Sequence, residues 1–210
     1  MAVLLPHTYL GPIHYYRTMA THQHVILENY ENFPKQTFRN RCVIYGANGA
    51  LNLTVPTLHI SGERSMHIRR ISYRENWQKL HWKSLETAYR SSPFFEYYED
   101  DFSEVLMAKY ELLIDLNTAL MKLVLGILDI QVSLSQTSTF ELNFDGVDLR
   151  DFYTPQSGQS LKEDFKRYSQ VFEDKHGFIP NLSIVDLIFN QGPGSKDYLN
   201  NLGTSNDTNQ

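Results

Sequence analysis

The first 28 residues run through a short apolar stretch, a Pro/Gly loop, a helical stretch and a second apolar, β-branched stretch. Val3–Leu5 is short and buried in character, Pro6, Gly11 and Pro12 stiffen the loop, residues 12–21 suit a helix, and His24–Glu28 suits a strand. That order and size predict a strand–helix–strand unit, in which two parallel strands are joined by a right-handed crossover. Such a unit points to an α/β domain with a mixed sheet.

The remainder of the chain predicts a hairpin around residues 38–56. Phe38–Tyr45 is rich in strand formers, Gly46-Ala47-Asn48-Gly49 reads as a turn, and Leu51, Leu53 and Val55 alternate with polar positions up to Pro56. Residues 66–73 suggest a further strand. Two central helices follow. Over residues 75–91, Trp77, Leu80, His81, Leu85, Ala88 and Tyr89 share a face. A longer one is expected over 103–127, with Ser103 as N-cap. Ile130–Leu134 suggests a strand, residues 155–166 a loop, and 183–190 a C-terminal helix. Residues 1–199 read as one globular domain and 200–210 as a polar, disordered tail.

Composition narrows the function classes. Apolar residues make up 41%, enough for a packed core, so global disorder is excluded. A net charge of −5 argues against a general nucleic-acid binder. No apolar run approaches the roughly 18–20 residues of a membrane span. The N-terminus lacks the basic region and long apolar core of a signal peptide. The single cysteine, Cys42, allows neither an intrachain disulfide nor a cysteine metal cage, and no metal site is expected. These features predict a cytoplasmic protein without a membrane span or nucleic-acid partner. The sequence names no cofactor and no oligomeric state.

Charge divides along the chain. Residues 1–92 carry 11 Lys and Arg against 5 Asp and Glu, whereas residues 93–210 carry 8 against 19. A basic first half that also holds seven of the eight histidines suits an anionic ligand; two opposite halves that pack together fit the same numbers.

Three polar groups are candidates for chemistry. On a strand over 38–45, Arg39 and Arg41 would share a face, and with Lys35 nearby they could clamp a phosphate or carboxylate, with Asn40 adding directional hydrogen bonds. Salt bridges to the acidic half are the alternative. His7, Tyr9 and His14 follow the first strand, where ligands bind in open α/β sheets. Asp186 lies in an apolar helix close to Asn181 and needs a partner, for which Arg39, Arg41 or a histidine could serve. No G-x-S-x-G motif is present, and Cys42 reads as inert core.

The chain resembles the WbqC-like protein family. The resemblance rests on Tyr9-Leu10-Gly11-Pro12 with Tyr15-Tyr16, Lys35 to Cys42, Gly46-Ala47-Asn48-Gly49, Asn76-Trp77 with His81-Trp82, Ala88-Tyr89, Ser92 to Tyr98, and Phe178 to Ile184 with Asp186. Many members place Gln-Pro after the first strand, where this chain has Pro6-His7. The resemblance implies surface-polysaccharide work of the O-antigen type, such as group transfer to a nucleotide-linked sugar. Joined to the residue reading, it predicts a transferase-like enzyme for a nucleotide-sugar or phosphorylated metabolite. Lys35, Arg39, Asn40, Arg41, Tyr9 and Asn181 would bind substrate, and His7, His14 and Asp186 would serve proton transfer. The rival is a non-catalytic binding or scaffold protein whose partner surface is formed by Trp77, Trp82 and Phe94–Tyr98.

Overall fold

β1 (Ala2–Pro6) and β2 (His24–Glu28) pair in parallel from Ala2–His24 to Pro6–Glu28, with α1 (Ile13–Thr21) between them. The computed structural model describes residues 1–34, 36–62, 64–153 and 165–202. β5 (Ser133–Gln136) adds in parallel to β2, and β6 (Val147–Asp148) in parallel to β1, giving the order β5-β2-β1-β6. β1 is central and buried from Val3 to Pro6, which explains why it is apolar without alternation. Because all four strands run the same way, Pro6, Glu28, Gln136 and Asp148 lie along one edge of the sheet. This edge positions the candidate site.

The hairpin is a separate two-stranded sheet of β3 (Arg41–Gly46) and β4 (Gly49–Thr54). Gly49 closes it at φ +98, a backbone region that disfavours side chains. The hairpin is shorter than the expected 38–56. Phe38 O accepts the Tyr9 amide at 2.8 Å, and Arg39 O accepts Asn117 Nδ2 at 2.8 Å, so this backbone serves the β1 loop and a later helix instead of a strand partner. The strand expected over 66–73 is a 3-10 turn, Met66–Ile68, followed by isolated bridges at Arg70–Leu112 and Thr57–Ile71.

α2 (Trp77–Tyr89) forms as the periodicity predicts, with Asn76 as N-cap. The single helix expected over 103–127 is two: α3 (Phe95–Met107) and α4 (Leu113–Ile127). Ser103 therefore caps nothing; it lies within α3 and donates to Asp100 O at 3.0 Å. Gln78 of α2 makes the break possible. Its Nε2 donates to Leu106 O at 2.7 Å and to Ala108 O at 2.6 Å, satisfying carbonyls a continuing helix would have used.

α5 (Glu173–His176), α6 (Ile184–Gln191) and α7 (Ser195–Asn200) follow. Every residue of α6 from Ile184 to Asn190 is buried. The packed chain continues past the expected start of the tail: Leu202 is buried, and its carbonyl accepts Arg17 Nε at 2.7 Å. The loop expected at 155–166 falls largely outside the described residues, as does the tail from 203. Among the described residues no helix is long and apolar enough to cross a membrane.

Replacing Gln78 by Leu should leave the Leu106 and Ala108 carbonyls without their donor. We expect a loss of about 2 kcal/mol in urea unfolding, with an unchanged midpoint showing that water takes over both carbonyls.

Candidate functional site

The carboxyl edge of the parallel sheet holds a buried charged cluster. Glu28, the last residue of β2, has no exposed surface. Its Oε1 accepts from the Tyr30 amide and from Thr137 Oγ, each at 2.8 Å, and its Oε2 accepts Arg150 Nη1 at 2.9 Å. Arg150 also grips Asp148 at 2.6 Å, and this pairing holds the Asp148 carboxyl below the usual range. Three residues beyond Glu28, Glu31 takes Arg39 in a two-pronged pair, Nε at 2.8 Å and Nη2 at 2.5 Å. Burial pushes the Glu31 carboxyl up, and the Arg39 guanidinium pulls against it. Arg39 Nη2 also donates to Arg150 O at 3.1 Å, joining the two pairs.

His7 sits at the same edge and is buried. Asn29 Nδ2 donates to Gln136 Oε1 at 3.1 Å, which leaves Asn29 Oδ1 to accept the His7 Nε2 proton at 2.7 Å. The proton is thereby placed on Nε2, and Nδ1 is a buried lone pair without a partner. Burial lowers the His7 pKa to about 4, and the charge of Arg39 acts in the same direction, so the ring is neutral at pH 7.

The other sequence candidates are distributed over the fold. Arg39 and Arg41 do not share a strand face, since Arg39 precedes β3 and is turned inward onto Glu31. Arg41 opens β3, half-buried, with Nε unpartnered. Asn40 Nδ2 donates to Val55 O at 2.8 Å and anchors the hairpin. Tyr9, fully buried, donates to His81 Nδ1 at 2.8 Å. His14 and Asn181 do meet: the His14 amide donates to Asn181 Oδ1 at 3.0 Å, and Asn181 holds φ +53 to reach it. Asp186 is paired with neither arginine nor histidine. Its Oδ1 accepts Tyr89 OH at 2.8 Å, and its Oδ2 accepts Tyr168 OH at 2.6 Å and Gln170 Nε2 at 2.9 Å. Burial raises the Asp186 pKa against these three donors. Lys35 lies outside the described residues.

Beyond the cluster, where the chain leaves β2, a cavity of about 700 Å³ is lined by Asn32, Phe33, Thr57, Leu58, His59, Arg64 and Arg69. Among the described residues no acidic side chain lines it. Arg69 is buried, lies 4.7 Å over the Phe33 ring and donates to Leu58 O at 3.1 Å. The Arg64 guanidinium and the His59 ring have no hydrogen-bond or ion-pair partner among the described residues. Sequence reasoning missed all three: Arg69 fell within residues 66–73, which read as a strand, and His59 and Arg64 carry no periodic signal; for the two arginines the dense Arg64-Ser65-Met66-His67-Ile68-Arg69-Arg70 run was the available signal. Among the described residues no group of three or more His, Cys, Asp or Glu is arranged to hold a metal ion.

Comparison with known proteins agrees with the residue blocks from Tyr9 to Tyr98, while the block from Phe178 to Asp186 lies beyond the matched residues. The WbqC-like protein family matches residues 7–154. An uncharacterized protein of Mycobacterium tuberculosis, Rv1507c, is 24% identical over 212 residues, covering 88% of this chain and 91% of that protein. No solved structure matches the chain.

His7 and His81 are both lowered by burial to about 4, so the fold holds them neutral. The stability they contribute is complete above pH 6.5 and is lost as pH falls toward 4, because the unfolded chain takes up these protons first. Each should remove about 2 kcal/mol between pH 7 and pH 5. Glu31 and Asp186, being raised, act in the opposite sense, so the check is a difference: His7→Gln should flatten the acid limb of the stability profile by that amount. An unaltered limb would mean that His7 takes up its proton over the same pH range in the folded and unfolded chain. Asp186→Asn would set an amide N–H against hydroxyl or amide donors, and should cost about 2–3 kcal/mol at pH 7 by chemical unfolding.

Proposed function

The chain belongs to the WbqC-like protein family, and on that premise we propose that it binds an anionic small molecule in the cavity beside the β2 exit. The observation that carries this reading is the lining: buried Arg69, together with Arg64 and His59, whose side chains meet no partner among the described residues, and no acidic side chain among the described lining residues. Its volume of about 700 Å³ lies in the range of small-molecule sites. Two guanidiniums favour phosphate or carboxylate, which they can meet in two-pronged fashion. Phe33 and Leu58 supply apolar surface, and Asn32 and Thr57 can direct hydrogen bonds to hydroxyls.

The finer reading is a nucleotide-linked sugar or phosphorylated metabolite, used in group transfer for surface-polysaccharide assembly. The anion-holding role expected of Arg39 passes in this reading to Arg64 and Arg69, because Arg39 is bonded to Glu31. His7 keeps the position expected of a proton acceptor at the strand ends, through its unpartnered Nδ1. Asp186, surrounded by Tyr89, Tyr168 and Gln170, serves the fold. The scaffold reading needed an exposed aromatic patch. Of the residues expected to form it Tyr97 is well exposed, whereas Trp77, Phe95 and Tyr98 are buried, Trp82 is half-buried against the Phe95 ring, and Phe94 is half-buried, so no continuous patch of them forms.

A titration with nucleoside-diphosphate sugars and sugar phosphates, followed by calorimetry, tests the proposal. At least one should bind, and Arg64→Ala should weaken it about 10- to 100-fold, the size of a lost charge-assisted hydrogen bond. Equal affinity in an Arg64→Ala/His59→Ala double variant would remove the cavity from the proposal.

A further inference from the structure

The segment that walls the cavity also carries a serine–histidine pair. Ser65 is the N-cap of the 3-10 turn Met66–Ile68. An N-cap serine ordinarily accepts a backbone N–H of the first turn. Here no such capping bond forms, and Ser65 Oγ lies instead 2.7 Å from His67 Nδ1. The His67 ring is held in turn by Tyr30, with centroids 4.4 Å apart and planes at 35°. A hydroxyl, a base within hydrogen-bond reach and a group that orients the base are the three parts of an activated nucleophile. Ser65 and His67 are both half-buried, so the pair is neither sealed in the core nor free in solvent. Ser65 bridges to Asn32, a residue of the cavity wall, and Arg64 beside it lines the same cavity.

We infer that Ser65 and His67 are a nucleophile–base pair serving the cavity, for acyl transfer from a donor whose carrier is anionic. The inference rests on the proposed anion site for its choice of donor. In the neutral tautomer with hydrogen on Nε2, Nδ1 accepts the hydroxyl proton as Oγ forms its bond to the acyl carbon. The carrier leaves with the electron pair of the broken bond and takes that proton from the imidazole. An acyl-serine remains, to be passed to an acceptor hydroxyl or to water by the reverse sequence. Arg64 and Arg69 hold the anionic carrier.

The test is labelling of the full chain with a fluorophosphonate probe, located by peptide mass spectrometry. In that reaction Oγ displaces fluoride from phosphorus and the proton passes to the imidazole. The expected result is an adduct at Ser65 that is absent in Ser65→Ala and forms about 100-fold more slowly in His67→Gln, the usual size of a general-base contribution. His67→Asn serves as a second variant, and thermal midpoints confirm that each folds. No adduct at Ser65 in the wild type, or an undiminished rate in a folded His67 variant, overturns the inference. Binding of nucleoside-diphosphate sugars and sugar phosphates to the same proteins separates the two proposals. An unlabelled wild type that still binds anions loses only the reactive pair. Labelling at Ser65 in a protein that binds none of these anions retains the pair and removes the anionic carrier.

Discussion

Glu28 ends β2 with its carboxylate completely enclosed, and an enclosed carboxylate has to be met by a cation and by hydrogen-bond donors. Arg150, Thr137 and the Tyr30 amide meet it, which brings the residues following β5 and β6 to the end of β2. Glu31 imposes the same demand one turn of chain later and is met by Arg39. The Arg39 carbonyl is in turn held by Asn117 of α4, so the parallel sheet, the approach to the hairpin and the central helices are connected through two buried ion pairs. Removing one member of such a pair leaves the other charge without compensation, at a cost of about 3–5 kcal/mol. Loss of ligand binding on substituting Arg39 would therefore report the fold and not a contact with ligand.

The same constraint positions the cavity. With Glu28 and Glu31 anchored inward, the chain that follows must emerge at Asn32 and Phe33, which form one wall. The Phe33 amide donates to Arg64 O at 2.7 Å and the Met66 amide to Glu31 O at 2.9 Å, so the basic segment is laid against this exit by backbone bonds. Acidic groups are drawn into the interior cluster, and Arg64 and His59 are left open at the rim. The uneven charge along the chain is thus only partly neutralised between its halves: Glu28–Arg150, Arg70–Glu111 and Arg90–Glu99 cross between them, while Arg39–Glu31 stays within the basic half.

Local signals were read well and tertiary ones were not. The β1–α1–β2 unit and α2 appear as predicted because apolar periodicity, Pro and Gly positions and an Asn cap act over a few residues. The α3–α4 break was invisible, because its carbonyls are satisfied by Gln78 from another helix. Phe38 and Arg39 read as strand because their side chains suit one, yet their carbonyls are claimed by Tyr9 and Asn117. The position of His7 directly after the first strand was legible from the chain order. Its partner Asn29 and the cavity residues His59, Arg64 and Arg69 were not recognised, since no periodicity marks them.

The sequence by itself determined that a βαβ opening, a hairpin and amphipathic helices would form an α/β fold, and its separated residue blocks carried the family resemblance. These follow from side-chain patterning over short spans, where each residue's preference is nearly independent of distant ones. Tertiary structure alone decided which charges are enclosed and which stay open. Arg39 and Arg64 are chemically the same side chain. The first is turned inward because Glu31 lies eight residues before it in the same buried corner, and the second stays open because the described structure brings no carboxylate to it. That choice depends on contacts between segments far apart in the chain, and it separates a residue that holds the fold together from one available to a ligand.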